Sequence, residues 1–389
     1  MNAKEKESEL FFHTYKRLPL DVERGEGCYL YTTDGKKYLD MFSGLAVNAL
    51  GYAHPAIIAA IDKQVRKYTH LSNFFIQKPQ LELAERLLSL SGFDKIFFSN
   101  SGTEAIEGTI KLVRKWGKKS GKKTIFGMSN GFSGRTMGAL SLMDKEKYRD
   151  GYEPFLPNFG TIDFNNIADL NSKVNEQTAA VFLEFIQGEG GIVGATQEFV
   201  NTLKSLREKY GFLIVADEIQ SGIGRTGKLF GFQHFDILPD IITVAKPIGG
   251  GLPVGAIIGS KKVADVWTYG VHGTTFGGNP VSCAAGIATI DTIMTEVFLK
   301  NINDTAADFK TKLVDLQSRF PVIKEVRVYG YMIGIDLTIE SGSIVEQILD
   351  KGVLVNSTAN TVIRILPPLI AGKNEFDKLF QILEEVLPK

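Results

Sequence analysis

Cysteine is nearly absent from this 389-residue chain, which holds only Cys28 and Cys283. Two thiols cannot make the disulfide framework of a small secreted domain, and they suit a reducing compartment. Histidine is also scarce: five are scattered along the chain, without paired Cys or His spacing, so no metal site is expected. Net charge is missing too, since 44 Lys and Arg balance 44 Asp and Glu. That balance disfavours a basic nucleic-acid binder. No apolar run approaches the ~18 residues of a membrane span. The charged opening MNAKEKESEL has neither an apolar core nor a small-residue cleavage site, so no targeting segment is expected. These absences lead us to expect a soluble cytoplasmic protein without membrane or nucleic-acid partners.

Glycine is abundant, with 40 residues, and lacks the three-residue period of collagen. Its excess implies tight turns and close backbone approaches. Through the middle of the chain, short apolar runs alternate with helical patterns. Strands are expected at Lys95–Ser99, Thr124–Met128, Ala179–Ile186, Phe212–Asp217, Ile241–Ala245 and Val254–Gly259, with helices over 102–119 and 197–210. Continuous Val, Ile and Phe runs of this kind belong to a mostly parallel sheet buried on both faces, which makes the fold class α/β. Such sheets bind ligands beyond their carboxyl ends. After Pro280, helices at 280–299, 304–319, 343–350 and 374–386 interleave with strands at 322–328, 332–337 and 362–366, a smaller α+β pattern. Turns at Arg24-Gly25 and Asp34-Gly35 mark the first fifty residues. We place a large domain at 51–280 and a small domain formed by 1–50 with 281–389.

Gly222 to Gly227 matches G-x-G-x-x-G, and with Lys228 also G-x-x-x-x-G-K. Both nucleotide readings are weak. A dinucleotide site needs the glycines to open a helix, but KLFGFQHFD has no helical period, and a P-loop needs Ser or Thr where Leu229 stands. A glycine-rich surface loop beside a site fits better.

Polar residues stand where buried strands stop. Asn100-Ser101-Gly102-Thr103 joins a strand to a helix, which makes either a phosphate cradle or an ordinary N-cap. Asp217 ends another strand, where a carboxylate is costly without a partner. Lys246 ends a third and is flanked by Gly249, Gly250 and Gly251. It could be an amine nucleophile with lowered pKa, or one half of a structural ion pair with Asp217. A phosphate cradle, a buried carboxylate and a nucleophilic lysine together suit pyridoxal phosphate.

The sequence resembles the class III (ω-amino) aminotransferases of fold type I, acetylornithine aminotransferases above all, over about residues 15–385. The resemblance rests on an ordered set of motifs: SGLAVNALGYAHP at 43–55, FFSNSGTEA at 97–105, GFSGRT at 131–136, IQGEGG at 186–191, ADEIQSGIGRTG at 216–227, HGTTFGGNP at 272–280 and IRILPPL at 363–369. It implies a large domain with a mostly parallel seven-stranded sheet and a smaller α+β domain. It further implies that Lys246 anchors the cofactor and carries the proton, Asp217 pairs with the pyridine nitrogen, and Gln220 meets the phenolic oxygen. Ser101, Gly102 and Thr103 would hold the phosphate, with Thr275 reaching it from a second subunit of a homodimer. Phe132 and Ile219 would flank the ring. Arg135 would grip the distal carboxylate of the substrate and Arg364 the α-carboxylate of glutamate. Glu189 would neutralise Arg364 while the ω-amine donor is bound. Outside the motifs, Phe132 would read as a core aromatic, Glu189 as a solvated loop carboxylate and Arg364 as part of a surface ion pair.

The implied reaction moves the δ-amine of N2-acetylornithine to 2-oxoglutarate, a step of arginine synthesis. Succinylornithine, ornithine and 4-aminobutyrate are the alternative donors. A racemase or decarboxylase on the same fold, and a nucleotide-binding regulator built on GIGRTGK, are the more distant rivals. The chain departs from the family pattern at Ile106, Ser133, Phe185 and Pro247. Ser133 and Phe185 lie beside the substrate motifs, and Pro247 is expected to hold Lys246 in an extended backbone.

Overall fold

The computed structural model describes residues 3–388. Residues 1, 2 and 389, which the expected small domain includes, lie outside the described residues.

Seven strands form the central sheet: β1 (Lys95–Ser99), β2 (Thr124–Met128), β3 (Phe159–Ile162), β4 (Thr178–Leu183), β5 (Leu213–Asp217), β6 (Ile241–Val244) and β7 (Gly255–Gly259). Their order is β1-β7-β6-β5-β4-β2-β3. Pairs from β6 to β3 are parallel, and β7 runs antiparallel to both β6 and β1. Strands β4 to β7 are buried along their whole length, which is why they read as apolar runs without alternation. The unexpected strand is β3, a four-residue edge strand of sequence FGTI, too short, and with a glycine inside it, to signal itself.

The expected strand Ala179–Ile186 is cut short. It stops at Leu183, because the Glu184 carboxylate accepts the N–H groups of Phe132 and Gly188, each at 3.0 Å, and turns the chain out of the sheet. Ile186–Gln187 pairs instead with Val193–Gly194. The helix Gln197–Tyr210 lies where the pattern puts it, between the Thr196 cap and Gly211 at φ 66°.

The helix expected to run to residue 299 ends at Ile293. A second helix, Glu296–Arg319, starts there at a bend of 68°. Thr295 makes the break, its hydroxyl accepting the N–H of Phe298. Among the described residues no single helix is long and apolar enough to cross a membrane.

Beyond this bend, Ile323–Tyr329, Met332–Leu337, Val362–Ile365 and Asn356–Thr358 form an antiparallel sheet in that order. Lys37–Asp40 pairs in parallel with Val353–Leu354 and so ties the N-terminal hairpins to this part of the chain. The expected turn at Arg24-Gly25 lies inside the strand Val22–Glu26, and the chain reverses one step later, at Gly27 with φ 56°.

Candidate active site

A cavity of about 430 Å³ opens at the carboxyl ends of β1, β4, β5 and β6. One wall is the start of the helix Gly102–Lys118. Ser101 Oγ caps it by accepting the N–H of Glu104 at 3.2 Å. The N–H groups of Gly102 and Thr103 have no helical acceptor and face the cavity side of the helix terminus, where an anion is favoured. The Thr103 hydroxyl lies 3.1 Å from that of Thr136. Gly134, at φ 128°, lets the chain pass it; a Cβ there would come within 2.3 Å of Thr103 Oγ1. The Ser101 N-cap is therefore present, and it leaves the next N–H groups free, so the two expected readings do not exclude one another.

Asp217 closes β5 and is 5% exposed. Its Oδ1 accepts the N–H of Ile219 at 3.0 Å. Burial, with the nearby Glu184 carboxyl adding to it, pushes Asp217 up to about 8. Lys246 follows β6 and faces the same cavity. Burial first, and Arg364 second, push its amine down, against the pull of Glu189, Glu184 and Asp217. Among the described residues the two form no direct ion pair, so the structural Lys–Asp bridge is not what holds them. The expected extended backbone at Lys246 is not found either. Lys246 has φ 40°, at the mouth of a short 3-10 turn Lys246–Gly249, after Ala245 at φ −161°. A non-glycine residue in that region is strained, so tertiary packing overrides the local preference that Pro247 imposes.

Phe132, Arg135, Ile219 and Gln220 also line the cavity. The Arg135 guanidinium is exposed and lies 3.9 Å from the centre of the Tyr148 ring. Gln220 is tightly set, since a Cβ on Gly188 would stand 2.1 Å from its Oε1.

Arg364 is no surface residue. It is 1% exposed, in the middle of the strand Val362–Ile365. Its Nη1 donates to Glu189 Oε1 at 2.5 Å and to Gln220 Oε1 at 3.4 Å, and its Nε to Asn356 Oδ1 at 3.1 Å. Glu189 lines the cavity instead of lying in solvent. Burial pushes its carboxyl up, but Arg364 outweighs that and leaves it lowered. Arg364 does not itself line this cavity but lies behind Glu189 and Gln220, which do, and Thr275 is not brought to it at all. It is exposed, while its neighbour Thr274 accepts Asn100 Nδ2 at 3.1 Å.

Sequence reasoning missed Glu184, which lines the cavity and is raised by burial. It sits at the end of an apolar run, as Asp217 does, and that signal was available. The GIGRTG segment is also corrected, for it is buried and not a surface loop. Arg225 is 0% exposed; its Nη1 donates to the carbonyls of Pro367 and Tyr331, at 2.5 and 3.3 Å. Of the departures, Ser133 lines the cavity. Phe185 does not, packing instead in the core against Phe232 and Phe235, and Ile106 is buried in its helix.

The cavity offers a helix N-terminus with free N–H groups, a buried carboxyl, a desolvated amine and apolar lining from Phe132 and Ile219. These suit a phosphorylated aromatic aldehyde such as pyridoxal phosphate. The family model described as Aminotransferase class-III matches residues 11–387. The chain is 43% identical to the acetylornithine aminotransferase of Caldanaerobacter subterraneus, covering 98% of each chain. It is 41% identical to that of Methanocaldococcus jannaschii, over 98% of this chain and 96% of the relative. Among solved structures it is similar to the ornithine aminotransferase from Toxoplasma gondii (TM-score 0.93, 28% identity, 98% and 93% of the two chains). It is also similar to the N-acetylornithine aminotransferase from Stenotrophomonas maltophilia (TM-score 0.83, 31% identity, 96% of each).

Proposed function

The chain belongs to the class-III aminotransferases, pyridoxal-phosphate enzymes of fold type I, and we propose that it moves the δ-amine of N2-acetylornithine to 2-oxoglutarate. Bound pyridoxal phosphate supplies the aldehyde that takes the amino group and a ring that accepts electrons as the substrate carbon loses its proton. The chain's own residues do the rest. Lys246 Nζ would hold the aldehyde carbon and then move the proton, and the burial that lowers its pKa favours the neutral amine this work needs. Asp217 would hold the ring nitrogen and Gln220 the phenolic oxygen. Ser101, Gly102 and Thr103 would take the phosphate, and Phe132 and Ile219 would flank the ring.

The observation that carries the substrate reading is the Glu189–Arg364 pair at 2.5 Å. With Arg364 neutralised, a donor presenting an ω-amine meets no bare cation beside Lys246, and its carboxylate goes to Arg135. Glutamate brings an α-carboxylate that displaces Glu189 and takes the planar fork of Arg364. One cavity thus serves two substrates of different charge. The acetyl group of the donor follows the relatives at 41% and 43% identity.

The same reading includes a homodimer and a cytoplasmic place in arginine synthesis. Thr275, exposed and off its own cavity, would serve the phosphate of a second copy. Asn73 Nδ2 donates to the carbonyls of Thr274 and Gly277, so the exposed apolar run Phe74–Phe75–Ile76 lies beside that loop, a face suited to burial against the second copy. The division into 51–280 and 1–50 with 281–389 belongs to the proposal as well, supported by the pairing of Lys37–Asp40 with Val353–Leu354.

The test is kcat/KM with 2-oxoglutarate and, in turn, N2-acetylornithine, N2-succinylornithine, ornithine and 4-aminobutyrate. N2-acetylornithine should lead. A higher value for any other donor overturns the substrate assignment and leaves the reaction class standing.

A further inference from the structure

The loop that carries Glu189 is pinned by its backbone. The Glu189 carbonyl accepts the Thr358 hydroxyl and Lys145 Nζ, each at 3.0 Å. Two residues on, Arg327 Nη1 donates to the Gly191 carbonyl at 2.8 Å, and Asn165 Nδ2 donates to the Gly194 carbonyl at 3.0 Å. The carboxylate is held by a charge-assisted bond to Arg364 at 2.5 Å, which a competing carboxylate can replace, and by the Thr358 hydroxyl at a marginal 3.5 Å. A gate built this way moves by side-chain rotation about a fixed main chain. Once a substrate carboxylate takes Arg364, the Glu189 carboxylate is a partly buried charge that has lost its partner, and another cation stabilises it.

Lys145 is placed to be that cation. Its ammonium has three donors, and it already lies against the main chain of the residue whose carboxylate must swing. It is half-buried, so its charge is poorly served by water; burial lowers its pKa, while Glu189, Glu184 and Asp144 pull it up and Arg364 pulls it down. Its own segment reaches the rest of the substrate site, for Tyr148, three residues on, stacks under the Arg135 guanidinium.

We propose that Lys145 is a specificity-determining residue: it receives the Glu189 carboxylate when the substrate α-carboxylate displaces that group from Arg364. This deepens the reading of Glu189 and Arg364 given above and rests on it. The open gate is stabilised by the Lys145–Glu189 pair, and the closed gate by Arg364–Glu189. Lys145 therefore sets how readily the enzyme passes from its ω-amine substrate to glutamate and 2-oxoglutarate.

The experiment follows the two half-reactions separately in holoenzyme, by single-turnover change in cofactor absorbance, for Lys145→Met, Lys145→Gln and Lys145→Arg at equal cofactor occupancy. For Met and Gln the ratio of kcat/KM for glutamate to that for N2-acetylornithine should fall at least about tenfold, mainly through a higher KM for glutamate. Lys145→Arg should restore the ratio. In a Glu189→Ala background, Lys145→Met should change the ratio no further, because the carboxylate it serves is gone. A loss of equal size in both half-reactions, an unchanged ratio, or the same loss with Glu189 already removed overturns the proposal. If Glu189→Ala by itself leaves the ratio of the native enzyme, the gate reading falls, and this inference with it.

Discussion

The Glu189 carboxylate meets Arg364 Nη1 at 2.5 Å, on a guanidinium that is 1% exposed. Breaking a buried pair by removing one member leaves the other charge unpaired, at a cost of ~3–5 kcal/mol. That cost falls on the donor lacking a carboxylate for Arg364. Glu189→Ala is therefore expected to lower kcat/KM for N2-acetylornithine by at least about 100-fold, with a much smaller loss for glutamate, whose own carboxylate fills the gap. Half-reaction kinetics check this, and equal losses in both remove the gate.

Lys246→Ala should abolish transamination. The loss of a positioned proton carrier alone is worth ~10²–10⁴-fold, and the covalent hold on the cofactor goes with it. Borohydride should fix cofactor to the native protein and not to the variant, as read by mass. Turnover or trapping in Lys246→Ala would contradict the assignment.

Two buried carboxyls next to each other make the cofactor-free protein sensitive to pH. Burial raises Asp217 from 3.8 to about 8 and Glu218 from 4.5 to about 7, in Glu218 against hydrogen bonds from Ser221, Gly231 and Phe232. A carboxyl whose folded pKa lies above its unfolded value stabilises the fold at low pH and loses that contribution as pH rises through the folded value. The thermal midpoint of cofactor-free protein should therefore fall between about pH 4 and pH 8 through these two groups. Asp217→Asn should flatten the upper part of that slope and weaken cofactor retention. A slope unchanged by the substitution would show that Asp217 does not carry it.

Arg225 joins the loop after Gln220 to the segment after Arg364, through the carbonyls of Tyr331 and Pro367, and Tyr331 N–H returns a bond to the Arg225 carbonyl at 2.9 Å. Burial lowers its guanidinium to about 9, and its Nε and Nη2 find no partner. Arg225→Ala leaves two buried carbonyls unpaired and a hole behind them, a cost of ~2–4 kcal/mol. A lower thermal midpoint and a raised KM for 2-oxoglutarate are expected. A fall in stability with KM unchanged would confine Arg225 to holding the fold.

Ile76→Asp puts a charge into the exposed run Phe74–Ile76, beside the loop that carries Thr275. It should yield monomer by light scattering, together with weakened cofactor retention. A fully active monomer would contradict the shared site.

The buried sheet was readable because strands covered on both faces leave unbroken apolar runs, and three of these runs ended in polar residues, Ser101, Asp217 and Lys246, that line the cavity. What escaped were features set by tertiary contact. Glu184 ends an apolar run and could have been singled out, but that it stops β4 depends on the Phe132 N–H, 52 residues away in sequence, as well as on the nearby Gly188 N–H. Thr295 looks like any threonine until it caps a helix at a 68° bend. Lys246 adopts φ 40° against the preference of a residue before proline. The joining of Arg364 to Glu189, 175 residues apart in sequence, followed from family motifs and not from spacing.

The most direct test of the whole account is the visible spectrum of holoenzyme titrated with single amino donors and no oxoacid. N2-acetylornithine and glutamate should each bleach the cofactor band, while ornithine and 4-aminobutyrate should do so poorly. If neither N2-acetylornithine nor glutamate bleaches it, the cavity does not perform the amino transfer assigned to it.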